Sequence, residues 1–107
     1  MIIKKKATKE ELNKLAKHFD GYIKVVVDVE KRILAGGGDR HFDDEQDLLF
    51  EGSSQKNLWG GGYDTKTDEI DYNSIINLRP DQDNPSRDIL SVDTRKQFDD
   101  VVAKLLR

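Results

Sequence analysis

The sequence predicts an α+β fold: a mostly antiparallel sheet of about four strands, built from two hairpins, with an N-terminal and a C-terminal helix packed on one face. Three observations carry that prediction. Tyr22 to Val29 alternates with the period of a strand, placing Ile23, Val25, Val27 and Val29 on one side. Leu12, Leu15, Ala16 and Phe19 recur at helical spacing near the start. Phe98, Val101, Val102, Leu105 and Leu106 do the same at the end.

Taken in order, Met1-Ile2-Ile3 reads as a short edge strand or an unstructured start, and Lys4-Lys5-Lys6 as a solvated turn. Thr8 followed by Glu11 fits a capping box, which satisfies two N–H groups at a helix start. The predicted helix runs from Lys9 to Phe19 and stops at Asp20-Gly21, where glycine suits the left-handed terminal position. The first hairpin spans Tyr22 to Gly38. Its turn falls near Val29 to Arg32, although neither Asn-Gly nor Asp-Gly is there to favour a tight turn. The second face of its first strand carries Tyr22, Lys24, Val26 and Asp28, a mixture that suits water.

Asp39 to Glu51 holds six acids and one arginine, with Phe42 and Leu49 two helical turns apart. A helical turn from Asp43 to Leu49 is expected there, with a strand over Leu48-Leu49-Phe50 as the alternative. Asn57 to Tyr63 and Glu69 to Leu78 read as the second hairpin, joined by Asp64 to Asp68. Gly60-Gly61-Gly62 inside the first of these strands signals a bulge or a close backbone approach. Pro80 ends pairing for want of an N–H, and Arg79 to Ile89 reads as a polar loop. Ser91 caps the final helix.

A chain of 107 residues fits one domain, residues 1–107. Cysteine is absent, so disulfides and thiolate metal sites are excluded. Net charge is −3, which gives no general attraction to nucleic acid or to an anionic membrane. The excess of charged residues is mostly aspartate, 15 against 6 glutamates, so the lysine–glutamate pattern of hyperthermophiles is not present. The first residues lack an apolar signal segment, and a cytoplasmic location is expected.

Four groups of residues are candidates for chemistry. Gly36-Gly37-Gly38-Asp39-Arg40-His41 offers a glycine-rich turn of the kind that cradles phosphate, against which stand the acids that follow it. His41 with Asp44 and Glu45, and with Asp43 and Asp47 beside them, offers an imidazole among carboxylates for a divalent metal. An EF-hand register fails, since the required glycine falls on Asp44. The polar face of the last strand and its loop presents Asn73, Asn77, Arg79, Asn84, Ser86 and Arg87, where an arginine fork suits a carboxylate or phosphate. Trp59, the one tryptophan, lies beside the glycines and suits core packing against the hairpin, with a groove wall as the functional alternative. No cysteine or G-x-S-x-G nucleophile pattern occurs.

The string VDVEKRILAGGG, then His41, Asp47-Leu48-Leu49, Gly52-Ser53, Leu58-Trp59-Gly60 and Ile76-Asn77-Leu78-Arg79-Pro80, resembles a family of small prokaryotic domains of unknown function. The resemblance covers nearly the whole chain. It implies a cytoplasmic single-domain protein and transfers no catalytic residue.

The functional expectation is a non-enzymatic binding module for a protein or a small anionic ligand, using Trp59, Asn77, Arg79, Asn84, Ser86 and Arg87. The alternative is a small metal-dependent hydrolase using His41, Asp44 and Glu45. No cofactor is expected, nucleic acid is disfavoured as a partner, and the chain is expected to be a monomer or a weak homodimer through an exposed sheet edge.

Overall fold

The computed structural model describes residues 1–107. Its centre is one antiparallel sheet of five strands: β1 (Ile2–Ile3), β2 (Tyr22–Asp28), β3 (Ile33–Gly36), β4 (Leu58–Asp64) and β5 (Glu69–Asp71), in the order β1-β3-β2-β4-β5. Three helices accompany it: α1 (Lys9–Leu15), α2 (His41–Phe50) and α3 (Val92–Leu106). The fold is the expected α+β arrangement. The additional strand is Ile2–Ile3, paired antiparallel to β3 at the sheet edge.

α1 starts at the capping box: Thr8 Oγ1 accepts from Glu11 N, and Thr8 N donates to Glu11 Oε1. It stops at Leu15 rather than Phe19. Asp20 and Gly21 then both adopt positive φ, at 50° and 100°, and turn the chain into β2. α1 and α3 lie on one face of the sheet. There Leu15, Ile23, Val25, Val27, Leu34, Tyr63, Phe98, Val101, Val102 and Leu105 form the main core. Burying this many aliphatic and aromatic side chains, each worth about 1.5–3 kcal/mol, is what drives the fold.

The opposite face is not open as expected. α2 covers part of it, closing Leu48 over Val26, Ala35 and Leu58 in a second, smaller core. Val26 was the apolar exception on the mixed face of β2, and it marks where α2 lands. The β2–β3 turn is held by a side chain instead of a glycine. Asp28 is fully buried; its Oδ1 accepts from Glu30 N and Lys31 N, and its Oδ2 accepts from Ser53 Oγ. Arg32 supplies the left-handed residue at φ 59°.

The last predicted strand is cut short. Pairing with β4 ends at Asp71, and Ile75–Asn77 forms a 3-10 turn capped by Ser74. Beyond Gly62, the open edge of β4 is completed by side chains. Asn77 Oδ1 accepts from Gly60 N at 2.8 Å, and Asn77 Nδ2 donates to Gly60 O at 2.9 Å. That amide therefore stands in for a strand residue, and it also donates to the carbonyls of Tyr72 and Arg87. One residue pair on, the Arg79 guanidinium donates to the carbonyls of Gln55 and Leu58.

Asn77→Ala removes these bonds and leaves both polar groups of Gly60 buried and unpaired. The expected cost is about 3–5 kcal/mol of unfolding free energy, against under ~1 kcal/mol for exposed Asn73→Ala. Urea melts of the two variants check this; equal losses would contradict the role given to Asn77.

Candidate functional site

An open cleft of about 510 Å³ lies on the α2 side of the sheet. It is bounded by the start of α2, by the β2 residues Tyr22 and Lys24, and by the segment Asp71 to Ile75. Strand register explains why it is there. Lys24 pairs with Gly62, and Gly62 pairs with Asp71, so the three form one row across the sheet. Directly opposed residues point to the same face. The middle position has no side chain, and a Cβ on Gly62 would collide with the Tyr22 ring. Tyr22 therefore reaches over Gly62, and its hydroxyl donates to Asp71 Oδ2 at 2.6 Å. Burial, and then this carboxylate, hold the Tyr22 phenol well above its ordinary range.

Three cations face the cleft: Lys24, Arg40 and Arg87. Lys24 Nζ donates to the Asp39 carbonyl and sits over the Phe19 ring. Arg40 pairs with Asp43 at 3.2 Å, both groups being exposed. Arg87 has no side-chain partner in the chain: its carbonyl holds Ser74 and Asn77, but its guanidinium makes no hydrogen bond or ion pair. Asp71 is the one acid of the lining. Phe42 and Ile75, 50% and 55% exposed, supply its apolar rim.

His41 opens α2 and aims inward. Its Nε2 lies 2.6 Å from the Gly61 carbonyl, which fixes that nitrogen as the protonated one. Burial lowers its pKa, and the nearby Lys24 charge acts in the same direction. A neutral imidazole donating to the backbone is thus a brace between α2 and β4.

The sequence-predicted residues fall into two sets. Asn73 and Arg87 line the cleft, and Ser86 lies next to Arg87, with Oγ accepting from Asp88 N. Asn77, Arg79 and Asn84, at 0%, 8% and 3% exposure, are inside the protein. Asn84 gives its amide to the carbonyls of Asn77, Ser86 and Asp88 and accepts from Leu90 N. Trp59 is covered by the Arg79 guanidinium, 4.0 Å from the ring centroid. Asn77, Arg79 and Asn84 build the sheet edge and the loop, and Trp59 packs in the main core as expected, so none of the four faces a ligand. Alternation along a strand had placed Asn77 and Arg79 on an open face, and that strand is not formed.

The metal set does not assemble. No three His, Asp or Glu side chains stand close enough together to hold a metal ion. His41 is spent on Gly61, Asp44 Oδ1 accepts from Gly38 N, and Glu45 is buried near Arg79. The same Gly38–Asp44 bond disposes of the phosphate cradle, because the N–H of that glycine turn meets a carboxylate of the chain itself. Arg40 and His41, the end of that motif, do line the cleft. Sequence reasoning missed Tyr22, Lys24, Phe42, Asp71 and Ile75. The available signal was the polar side of β2 facing a strand made of glycines.

The architecture defines a small α+β domain with one cation-lined cleft and no helix long and apolar enough to cross a membrane. Residues 1–105 match the family described as protein of unknown function (DUF5674), and the chain belongs to that family. No curated protein and no solved structure matches it.

Asp44 yields a pH prediction. It is 1% exposed and its Oδ2 has no partner. Burial raises its pKa to about 7, with the Met1 amine and the Gly38 bond opposing and Asp47 and Asp43 adding to the rise. Between about pH 4 and pH 7 the folded state keeps a proton that the unfolded chain has released. Asp44 therefore stabilises the fold most below pH 4, and that contribution is lost as pH rises to 7. The loss is on the order of 3–4 kcal/mol. Asp44→Asn should flatten that part of the stability profile and raise stability at pH 8, as measured by denaturant melts across pH. An unchanged slope would count against a buried neutral Asp44.

Proposed function

We propose that the domain is a non-enzymatic binding module that holds a small anionic ligand in the cleft between the start of α2 and the Asp71–Ile75 segment. One observation carries the reading. In a chain of net charge −3, Lys24, Arg40 and Arg87 all line one concave surface, and Asp71 is the only acid there. Concentrating cations in a cleft opposes the field of the rest of the molecule and focuses attraction on an anion. The volume of about 510 Å³ lies within the range of small-molecule sites. Arg87 supplies the specific element, a guanidinium fork with every donor free. A cytoplasmic setting belongs to the same proposal and agrees with a chain that has no cysteine.

Arg87→Ala and Lys24→Ala test it, since Arg87 is exposed and Lys24 is half-buried outside the apolar core. Titration with inorganic phosphate, succinate and citrate, followed by calorimetry and by backbone NMR shifts, is the measurement. The affinity for whichever anion binds should fall about tenfold or more in Arg87→Ala, the worth of a charge-assisted bond. The thermal midpoint should stay within ~2 °C of the parent. No anion bound by the parent protein, or equal binding by the parent and Arg87→Ala, would sink the proposal.

A further inference from the structure

The two open edges of the sheet are unlike. The order β1-β3-β2-β4-β5 leaves β1 and β5 each with one unpaired side. Lys4-Lys5-Lys6 follows β1, whereas β5 carries Glu69 and Asp71 and is preceded by Asp68. We infer that these edges are partners: β5 of one copy receives β1 of a second copy in parallel, head to tail, so that the sheet continues from molecule to molecule. This surface is separate from the question of what the cleft binds.

Strand direction comes first. All four neighbouring pairs are antiparallel, so β1 and β5 run the same way. A second copy shifted along the sheet without being turned over sets its β1 parallel to β5.

Hydrogen-bond phase agrees. Met1 and Gly36 exchange two backbone bonds, at 2.9 and 3.0 Å. Bonded and unbonded pairs alternate in an antiparallel ladder, so Ile2, opposite Ala35, turns its N–H and C=O to the open side. At the other edge, Thr65 N donates to Gly21 O at 2.9 Å. Counting back along β4, Asp64 and Gly62 turn toward β5 and Tyr63 toward β2. Asn77 meets Gly60 on the β5 side, as the same count requires. Ile70, opposite Tyr63, therefore turns its own N–H and C=O outward.

The faces then select the pairing. Ile2 packs on the second core and Ile70 on the main core, so the two outward-turned residues lie on opposite faces. An antiparallel bonded pair sets such residues directly opposite, on one face. A parallel pair staggers them, as a sheet with continuous faces needs. Ile3 then lies beside Ile70 on the main-core side. Ile2 and Lys4 lie beside Glu69 and Asp71 on the other.

Charge fits that register. The Lys4 side chain is on the α2 side, where its Nζ donates to Glu51 at 2.8 Å, an exposed pair that water screens. Lys5 and Lys6 have no ion pair in the chain. A groove of about 390 Å³ beside β1 is lined by Ile2, Ile3, Lys4, Lys5 and Glu11, and Glu11 is engaged by Thr8 N. A hollow of about 240 Å³ beside β5 is lined by Asp64, Glu69 and Asp71 and by no cation. Arg107 offsets only Asp68, in the turn before the strand. Lysine on a short edge strand ordinarily guards against edge pairing. Here it repels a second β1, where lysine meets lysine, and admits an edge of acids. Only two or three residues of each strand meet, so the contact is weak and salt-sensitive, and it adds copies without closing a ring.

Sedimentation velocity of the full chain tests this, from about 20 µM to about 1 mM protein, at low salt and at ~0.5 M sodium chloride. The average mass should rise with concentration past that of a dimer, and the rise should vanish at high salt. Ile2→Pro removes the outward N–H without touching a bond to β3. Glu69→Lys places a cation on the exposed acidic edge. Each variant alone should stay monomeric, with the thermal midpoint of the parent. Mixed one to one, they should form a dimer and nothing larger, because one intact β1 edge meets one intact β5 edge. Lys4→Glu, at an exposed position, takes the place of Ile2→Pro if the proline lowers the midpoint. A parent that is monomeric throughout, or a mixture that stays monomeric, overturns the inference. Glu69→Lys associating like the parent while Ile2→Pro does not overturns it in favour of β1 pairing with itself. Association that survives in both variants overturns it in favour of another surface.

Discussion

The constraint on which the rest of this structure depends is the absence of side chains along Gly60, Gly61 and Gly62 in β4. The strand pairs with β2 along its whole length, so it cannot be moved aside to make room. On one face a Cβ at Gly61 would run into Phe98 of α3; on the other, Gly60 faces Ser74 and Gly62 faces Tyr22. Both layers therefore close to backbone distance on the same three residues. The main core gains the Phe98 contact, and the second face gains room for the Tyr22 side chain. A run of glycine in a strand normally costs conformational entropy without returning packing. Here the packing is returned from both sides.

Short β5 follows from the same strand. Where Gly62 ends its pairing with Asp71, the chain lifts off to pass over Gly60, and the exposed edge of β4 would lack partners for its N–H and C=O groups. Asn77 and Arg79 supply them. A primary amide has the donor and acceptor spacing of a peptide group, so Asn77 continues the ladder without a strand. The Arg79 guanidinium, with burial lowering its pKa and Glu45 opposing that shift, pays for its desolvation partly by stacking on Trp59. The bend that these two side chains permit forms one wall of the cleft.

Much of the fold was legible because it rests on local patterns. The Thr8–Glu11 capping box, the alternation of β2 and the apolar stripe of α3 each report on their own backbone. α2 was harder to read, since its stripe is thin and acidic; only Leu48 among its apolar residues is fully buried. The candidate site was legible in its polarity and not in its members. Asn77, Arg79 and Arg87 were equally polar in sequence, and nothing local separates a side chain that mends a sheet edge from one that faces solvent. That distinction is made by register, through the Lys24–Gly62–Asp71 row, and register is a long-range property.

The acids of α2 show how stability and the cleft are connected. Asp44 and Glu45 are buried with one oxygen each unpaired, a cost that a solvated helix would avoid. Yet His41 can reach Gly61, and Arg40 and Phe42 can reach the rim, only if α2 lies down on Val26, Ala35 and Leu58. The helix must dock with its acidic first turn against the Gly37–Gly38 turn, because the chain from β3 is too short to enter it any other way. Residues 37–40 are all that separate the two elements. Burial of Asp44 is thus the consequence of a short connection that places three cleft residues in succession. The strain of one carboxyl group is the cost of a preformed cleft, whose wall is ordered in advance.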